Sequence, residues 1–102
     1  MEKAIATIKS EKDTFIKTIA GIEGVRVSPR GVDVTYACDG IDFRLELTIN
    51  GNQIEACGSF YDGAWVYFVC IPVESGEYDN VYVPDGEGID SLVELVKKYG
   101  NN

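Results

Sequence analysis

Over the first twenty positions, apolar residues recur at three- and four-residue steps. Ile5, Ile8, Phe15, Ile16 and Ile19 make one stripe, with Lys3, Lys9, Glu11, Asp13 and Lys17 between them. That is the pattern of an amphipathic helix with one face turned to a core. Lys12 interrupts the stripe, and its aliphatic stem can lie along the core edge. Gly21 after Ala20 is expected to stop the helix in a left-handed conformation, with Ile22 folding back on the last turn. The helix is expected to cover about residues 2–20.

From Val25 the period shortens to two. The segments Val25–Ser28, Val32–Cys38, Asp42–Ile49, Gln53–Phe60 and Ala64–Ile71 read as strands. They are separated by Pro29-Arg30-Gly31, Asp39-Gly40, Asn50-Gly51 and Asp62-Gly63, which tolerate the positive φ of tight hairpin turns. Phe43, Leu45, Leu47 and Ile49 alternate with Arg44, Glu46 and Thr48, and Ile54, Ala56, Gly58 and Phe60 alternate with Glu55, Cys57 and Ser59. Consecutive hairpins of this kind predict an antiparallel meander with one packed face and one more polar face.

Two segments depart from this alternation. Ala64–Ile71 is apolar at every position, so either it is covered on both sides or Trp65, Tyr67 and Val69 form an exposed patch. Loop 72–88 could supply the cover, and so could a homodimer interface through strand 64–71. Residues 72–88 are irregular and acidic, with one short strand expected at Asn80–Val83. A second helix then follows: Asp90 is the expected N-cap, Ile89, Leu92, Val93 and Val96 form its apolar face, Lys97 and Lys98 suit its negative end, and Gly100 ends it. The predicted architecture is α+β: one domain over 1–102, a five- or six-stranded antiparallel meander sheet flanked by an N-terminal and a C-terminal helix. Both helices are expected on the Phe43/Leu45/Leu47 face, giving a two-layer sandwich.

Composition narrows the function classes. The chain of 102 residues has 17 acids against 9 bases, no histidine and a net charge of −8. Its 45% hydrophobic content is enough for one folded domain and argues against a disordered acidic tail. Bulk-charge binding of nucleic acid needs surplus Lys and Arg, so no direct nucleic-acid binding is expected. No apolar run approaches the ~20 residues that span a bilayer, and no membrane association is expected. The distribution of charge says more. Residues 1–44 carry seven bases and seven acids, whereas Leu45–Val96 carries ten acids and not one Lys or Arg. Solubility alone is one explanation, but a merely soluble surface mixes both signs.

The chemistry of catalysis is poorly represented. Without histidine, hydrolases built on a histidine base are ruled out. Paired-carboxylate chemistry stays formally open, yet nothing marks two acids that must converge. Cys38, Cys57 and Cys70 contain no Cys-x-x-Cys pair and do not resemble a zinc site. They read as buried free thiols in a reducing, intracellular setting, with Cys38 and Cys70 in the core and Cys57 on the opposite face. Asp79-Asn80 and Asp85-Gly86-Glu87 lack the spacing of a calcium loop, and the glycines form no phosphate cradle. The chain is expected to be no enzyme and to take no cofactor.

What remains is recognition of a basic partner. Acids are interleaved with aromatics in the base-free stretch, and aromatic contact area beside carboxylates selects a basic surface. The candidate partner-binding residues are Glu74, Glu77, Asp79, Asp85 and Glu87, flanked by Trp65, Tyr67 and Tyr78. The alternative for these positions is that Tyr67 and Tyr82 belong to the core edge and the acids solvate a loop.

In its size, its base-free stretch Leu45–Val96, its helix–meander–helix order and its opening Met-Glu-Lys-Ala-Ile-Ala-Thr-Ile-Lys-Ser-Glu-Lys, the chain resembles the small acidic type II-A anti-CRISPR proteins of phages and mobile elements, which inhibit Cas9. The resemblance spans the whole chain and includes no diagnostic motif, so no residue role carries over by position. It implies a nucleic-acid mimic in the cytoplasm of a bacterial host, occupying a Lys/Arg-rich channel of Cas9 and blocking guide RNA loading or DNA binding. The other reading that charge allows is an immunity-type or chaperone protein masking a basic toxin or effector.

Overall fold

The computed structural model describes residues 2–37, 40–61, 63–73, 76–84 and 86–100, with side chains of 2–8 and 37 excepted. Helix α1 (Glu2–Ala20) leads into strands β1 (Val25–Ala37), β2 (Gly40–Ile49), β3 (Asn52–Tyr61), β4 (Ala64–Pro72) and β5 (Tyr78–Tyr82), and helix α2 (Ile89–Gly100) closes the chain. The strands form one antiparallel sheet in the order β1-β2-β3-β4-β5. The fold is therefore the expected α+β meander with five strands.

The first two expected strands, Val25–Ser28 and Val32–Cys38, collapse into one because residues 25–27 and 32–37 pair with the same partner in the same direction. Val27 faces Leu47 and Val32 faces Leu45, so residues 28–31 stand opposite Glu46 alone. Pro29-Arg30-Gly31 is thus a bulge within β1, not a turn between strands. An edge strand tolerates Pro29, since its missing N–H need not belong to the ladder. Arg30 bridges the bulge to Asp33 at 3.2 Å.

Both helices cover the same face. Phe15 and Ile19 of α1 and Leu92 and Val96 of α2 are buried with Phe43, Leu45, Leu47, Ile49, Ile54, Ala56 and Val69. Alpha-helix α1 lies mainly over β1, and α2 over β4, β3 and β2. Lys12, within the apolar stripe, is half-buried between exposed Glu11 and Asp13. The side chains of Ile5 and Ile8 and all of Cys38, Asp39 and Asp62 lie outside the described residues.

The helix ends differ from expectation in detail. Gly21 keeps a negative φ and donates to Lys17 O at 3.0 Å, continuing the helical ladder, while the left-handed residue is Gly24. Ile22 does fold back into the core. Asp90 lies inside the first turn of α2 instead of capping it; Ser91 N donates to Gly88 O, and the Asp90 carboxylate sits at the positive end of the helix dipole. At the far end of α2, the Gly100 carbonyl accepts from Asn50 Nδ2 at 3.0 Å and Asn52 Nδ2 at 3.2 Å. Asn50 (φ 51°) and Gly51 (φ 81°) form the two-residue β2–β3 turn, whose two positive φ values only such residues adopt cheaply.

Gly100 is itself buried, and a Cβ there would come within 2.5 Å of Ile49 Cγ2. Gly100→Ala is therefore expected to lower stability by about 1–3 kcal/mol through overpacking, and Leu92→Ala by about 2–5 kcal/mol through a cavity. Urea unfolding midpoints check both; an unchanged midpoint for Gly100→Ala would place Ile49 elsewhere.

Candidate functional site

The pleat divides every strand residue between a helix side and an open side. On the helix side, Phe43 pairs with Gly58 and Gly58 with Tyr67, and Leu45, Ala56, Val69 and Val81 form the next row. Trp65 and Tyr67 belong here. They stack on each other (centroids 5.8 Å, planes 7° apart), and Trp65 also meets Phe43 at 5.0 Å and Phe60 at 5.3 Å. Tyr67 lies against Phe15 of α1 at 6.4 Å, and burial, with Glu11 nearby, raises its phenol pKa. Gly58 leaves the floor beneath these rings, where a Cβ would sit 3.2 Å from Tyr67.

On the open side, one cross-strand row runs Asp33, Arg44, Cys57, Phe68, Tyr82. It passes from charge at the β1 edge to aromatic surface at the β5 edge. Phe68 and Tyr82 are in ring contact at 5.0 Å, and Val66 and Tyr82 are exposed. These side chains, with Asp42 and Ser59, line an open groove of about 910 Å³. Ser59 Oγ donates to Asp42 Oδ1 at 2.5 Å. The covering expected from loop 72–88 is thus replaced by a different arrangement. Trp65, Tyr67 and Val69 are covered by the helices, and the other face of β4 is the open one. Strand β3 pairs along β4 on one edge, and β5 covers the other edge only from Phe68 to Pro72.

Cys70 also falls on the open side, opposite Glu55, not in the helix-side core expected for it. The pairing of Val69 with Ala56 assigns odd positions of β4 to the helices and even positions to the other face. Cys70 and Cys57 are nonetheless both buried. Glu46 and Glu55 stand directly opposite one another, a repulsive pair. Arg44, diagonal to Glu55, offsets it, with Nε 3.2 Å from Glu55 Oε2; the oxygen has no aligned hydrogen bond, so the contact is ionic.

Of the candidate partner-binding residues, Glu77, Tyr78, Asp79 and Glu87 are exposed. Tyr78 and Asp79 are on β5, the edge strand. Glu87 precedes α2 and accepts from Ser91 Oγ at 2.9 Å. Glu74 and Asp85 lie outside the described residues. Tyr78 emerges on the open side, so the structure does not join it to Trp65 and Tyr67, which pack half-buried against the core on the helix side. The residues that sequence reasoning missed are exposed Val66 and Tyr82 with half-buried Phe68 between them, an apolar shelf on the open side. The signal for them was the parity of β4 once Trp65, Tyr67 and Val69 are assigned to the core.

Among the described residues, Glu77, Asp79 and Glu87 have no Lys or Arg within ion-pair distance. No group of His, Cys, Asp and Glu among the described residues could hold a metal ion, and no helix there is long and apolar enough to cross a membrane. A two-layer α+β domain with an acidic, aromatic sheet edge is what the geometry defines. No protein-family profile, curated protein or solved structure matches the chain.

Neither Cys57 nor Cys70 offers a thiolate at neutral pH, since burial raises the pKa of both. Burial pushes Cys57 up from the ordinary 9.0 to about 12, with Glu55 and Cys70 acting in the same direction and Arg44 against it. In the unfolded chain the thiol ionises near its ordinary value, so between pH 9 and 12 the folded state binds more protons. The stability contributed by the neutral thiol is complete below pH 9 and is lost as pH rises toward 12, on the order of 1.4 kcal/mol per pH unit. Urea midpoints measured from pH 8 to 10.5 should fall less steeply for Cys57→Ala than for the native chain; equal slopes would contradict this assignment.

Proposed function

We propose that this chain is a non-enzymatic inhibitor that binds a basic nucleic-acid-binding surface of Cas9, or of its guide-RNA complex, and blocks guide loading or DNA binding. The observation that carries the reading is the placement of the base-free stretch. Strands β3, β4 and β5 and the segments between them contain no Lys or Arg. At the β5 end, Glu77 and Asp79 are exposed beside Tyr78 and Tyr82, without an ion-pair partner among the described residues. The basic side chains of the sheet stand at the other end, as Arg26 and Arg30 on β1 and Arg44 on β2. Four strand spacings separate β1 from β5, roughly 19 Å, well beyond the Debye length of about 8 Å at physiological salt. A partner approaching β5 therefore meets carboxylates that the arginines of the sheet do not neutralise, the bases of the helix layer over β4 being Lys97 and Lys98 at the end of α2.

Cas9 has channels that hold phosphate backbones through Lys and Arg, and carboxylates in place of phosphates answer that chemistry. Tyr78 and Tyr82 add contact area at low entropic cost. The same surface would serve an immunity-type or chaperone protein masking a basic toxin or effector, and the choice of Cas9 comes from the whole-chain resemblance.

The test adds purified protein to Cas9 before or after guide loading and follows guide binding, DNA binding and cleavage. Stoichiometric inhibition is expected, weakening steeply as salt rises, and charge reversal at both Glu77 and Asp79 (E77K, D79K) should weaken it at least about tenfold. Unchanged guide loading, DNA binding and cleavage at several-fold excess would refute the Cas9 reading.

A further inference from the structure

We propose that β5 is a docking edge that takes up an extended basic segment of a partner protein as a sixth strand, with basic side chains at every second position. The inference rests on the reading that the partner is basic, but not on its being Cas9. Its starting point is the hydrogen-bond phase of β5. Val83 N donates to Tyr67 O at 2.9 Å beyond one end of the strand, and Val73 N donates to Glu77 O at 2.9 Å beyond the other. Between them the register pairs Tyr82 with Phe68, Val81 with Val69, Asn80 with Cys70, Asp79 with Ile71 and Tyr78 with Pro72. In an antiparallel ladder, alternate residues bond to a given neighbour. Odd-numbered residues of β5 therefore bond to β4, and the N–H and C=O groups of Tyr78, Asn80 and Tyr82 point away from it, along the free edge. The strand order ends there.

The two edges of the sheet are unlike. Strand β1 is interrupted by the four-residue bulge containing Pro29 and bears Arg26 and Arg30, features that discourage strand addition. Tyr78–Tyr82 contains no Pro, Lys or Gly, and Tyr78 and Tyr82 are 60% and 56% exposed. Only carboxylates guard it. A second copy pairing antiparallel across Asn80 would bring Glu77 and Asp79 onto the same sheet face as their own duplicates, which repel. A basic strand would convert that repulsion into attraction.

The side-chain parity sets the pattern of the incoming segment. Asp79 shares the helix side with Val81, so residues laid beside it meet carboxylate and should be Lys or Arg. Tyr78 and Tyr82 lie on the open side, where Tyr82 continues into Phe68, so the intervening residues should be apolar or β-branched.

The experiment uses an eight-residue peptide alternating lysine and valine, an alternating glutamate–valine control, and the lysine–valine peptide N-methylated on alternate amides. Saturating lysine–valine peptide should slow hydrogen exchange of the Tyr78, Asn80 and Tyr82 amides at least about tenfold, and the N-methylated and glutamate peptides should not. Asn80→Pro removes an outward N–H and no bond to β4, so it should reduce peptide affinity about tenfold with thermal unfolding nearly unchanged. Bound peptide with unprotected edge amides, or native affinity in Asn80→Pro, overturns the proposal. Protection that rises with protein concentration in the absence of peptide also overturns it, since the occupant is then a second copy. Should Asn80→Pro fail to fold, exchange on the native chain decides. Peptide capture without Cas9 inhibition would sink only the Cas9 reading, and inhibition without edge protection would sink only this one.

Discussion

Phe43, Leu45, Leu47 and Ile49 are buried beneath two helices, while Arg44 and Thr48 between them are exposed. This period of two in β2 is the constraint that the remaining strands inherit, because each antiparallel register transmits the choice of side to its neighbour. Leu45 puts Ala56 under the helices, Ala56 puts Val69 there, and Val69 puts Val81 there. A slip by one residue between β2 and β3 would bring Glu55 or Arg44 into the core. The Asn50-Gly51 turn, held at two positive φ values and clasped to the end of α2, guards against such a slip between β2 and β3. Since both helices occupy one side, the other side is left to a graded surface that is ionic near β1 and β2 and aromatic toward β5.

The helices, the hairpins and the one-sided packing were legible because they depend on local periodicity and turn chemistry. Two features were not. The bulge at Pro29-Arg30-Gly31 has the composition of a turn, and only the shared pairing of Val27 and Val32 with β2 distinguishes the two. The continuous apolar run of β4 carries no alternation, so sequence could not say which half faces the helices; the answer lies in its register with Gly58, whose missing side chain makes room for Tyr67 and Trp65. That register also packs Trp65 and Tyr67, half-buried, against the core and leaves Val66 and Tyr82 exposed beside half-buried Phe68. Of the candidate acidic surface, the charge was readable, but the position of Asp79 on an edge strand depended on strand order.

The charge asymmetry along the chain becomes a spatial one because a meander keeps sequence order. In a sheet ordered β1 to β5, a composition change near residue 45 is also a change from one end of the sheet to the other. A Greek-key arrangement of the same strands would have interleaved the two halves and blurred the field. The meander thus turns a one-dimensional bias into a surface with distinct ends.

The clasp between Gly100 and the β2–β3 turn joins residues fifty positions apart. Helix α2 leaves the ribosome after every strand it covers. While the chain is being made, at about 5–20 residues per second, the hairpins can zip up one after another with only α1 to shield them. The apolar stripe of β3 and β4 must wait seconds for its lid, and in that interval the nascent sheet has a sticky side that the finished molecule conceals.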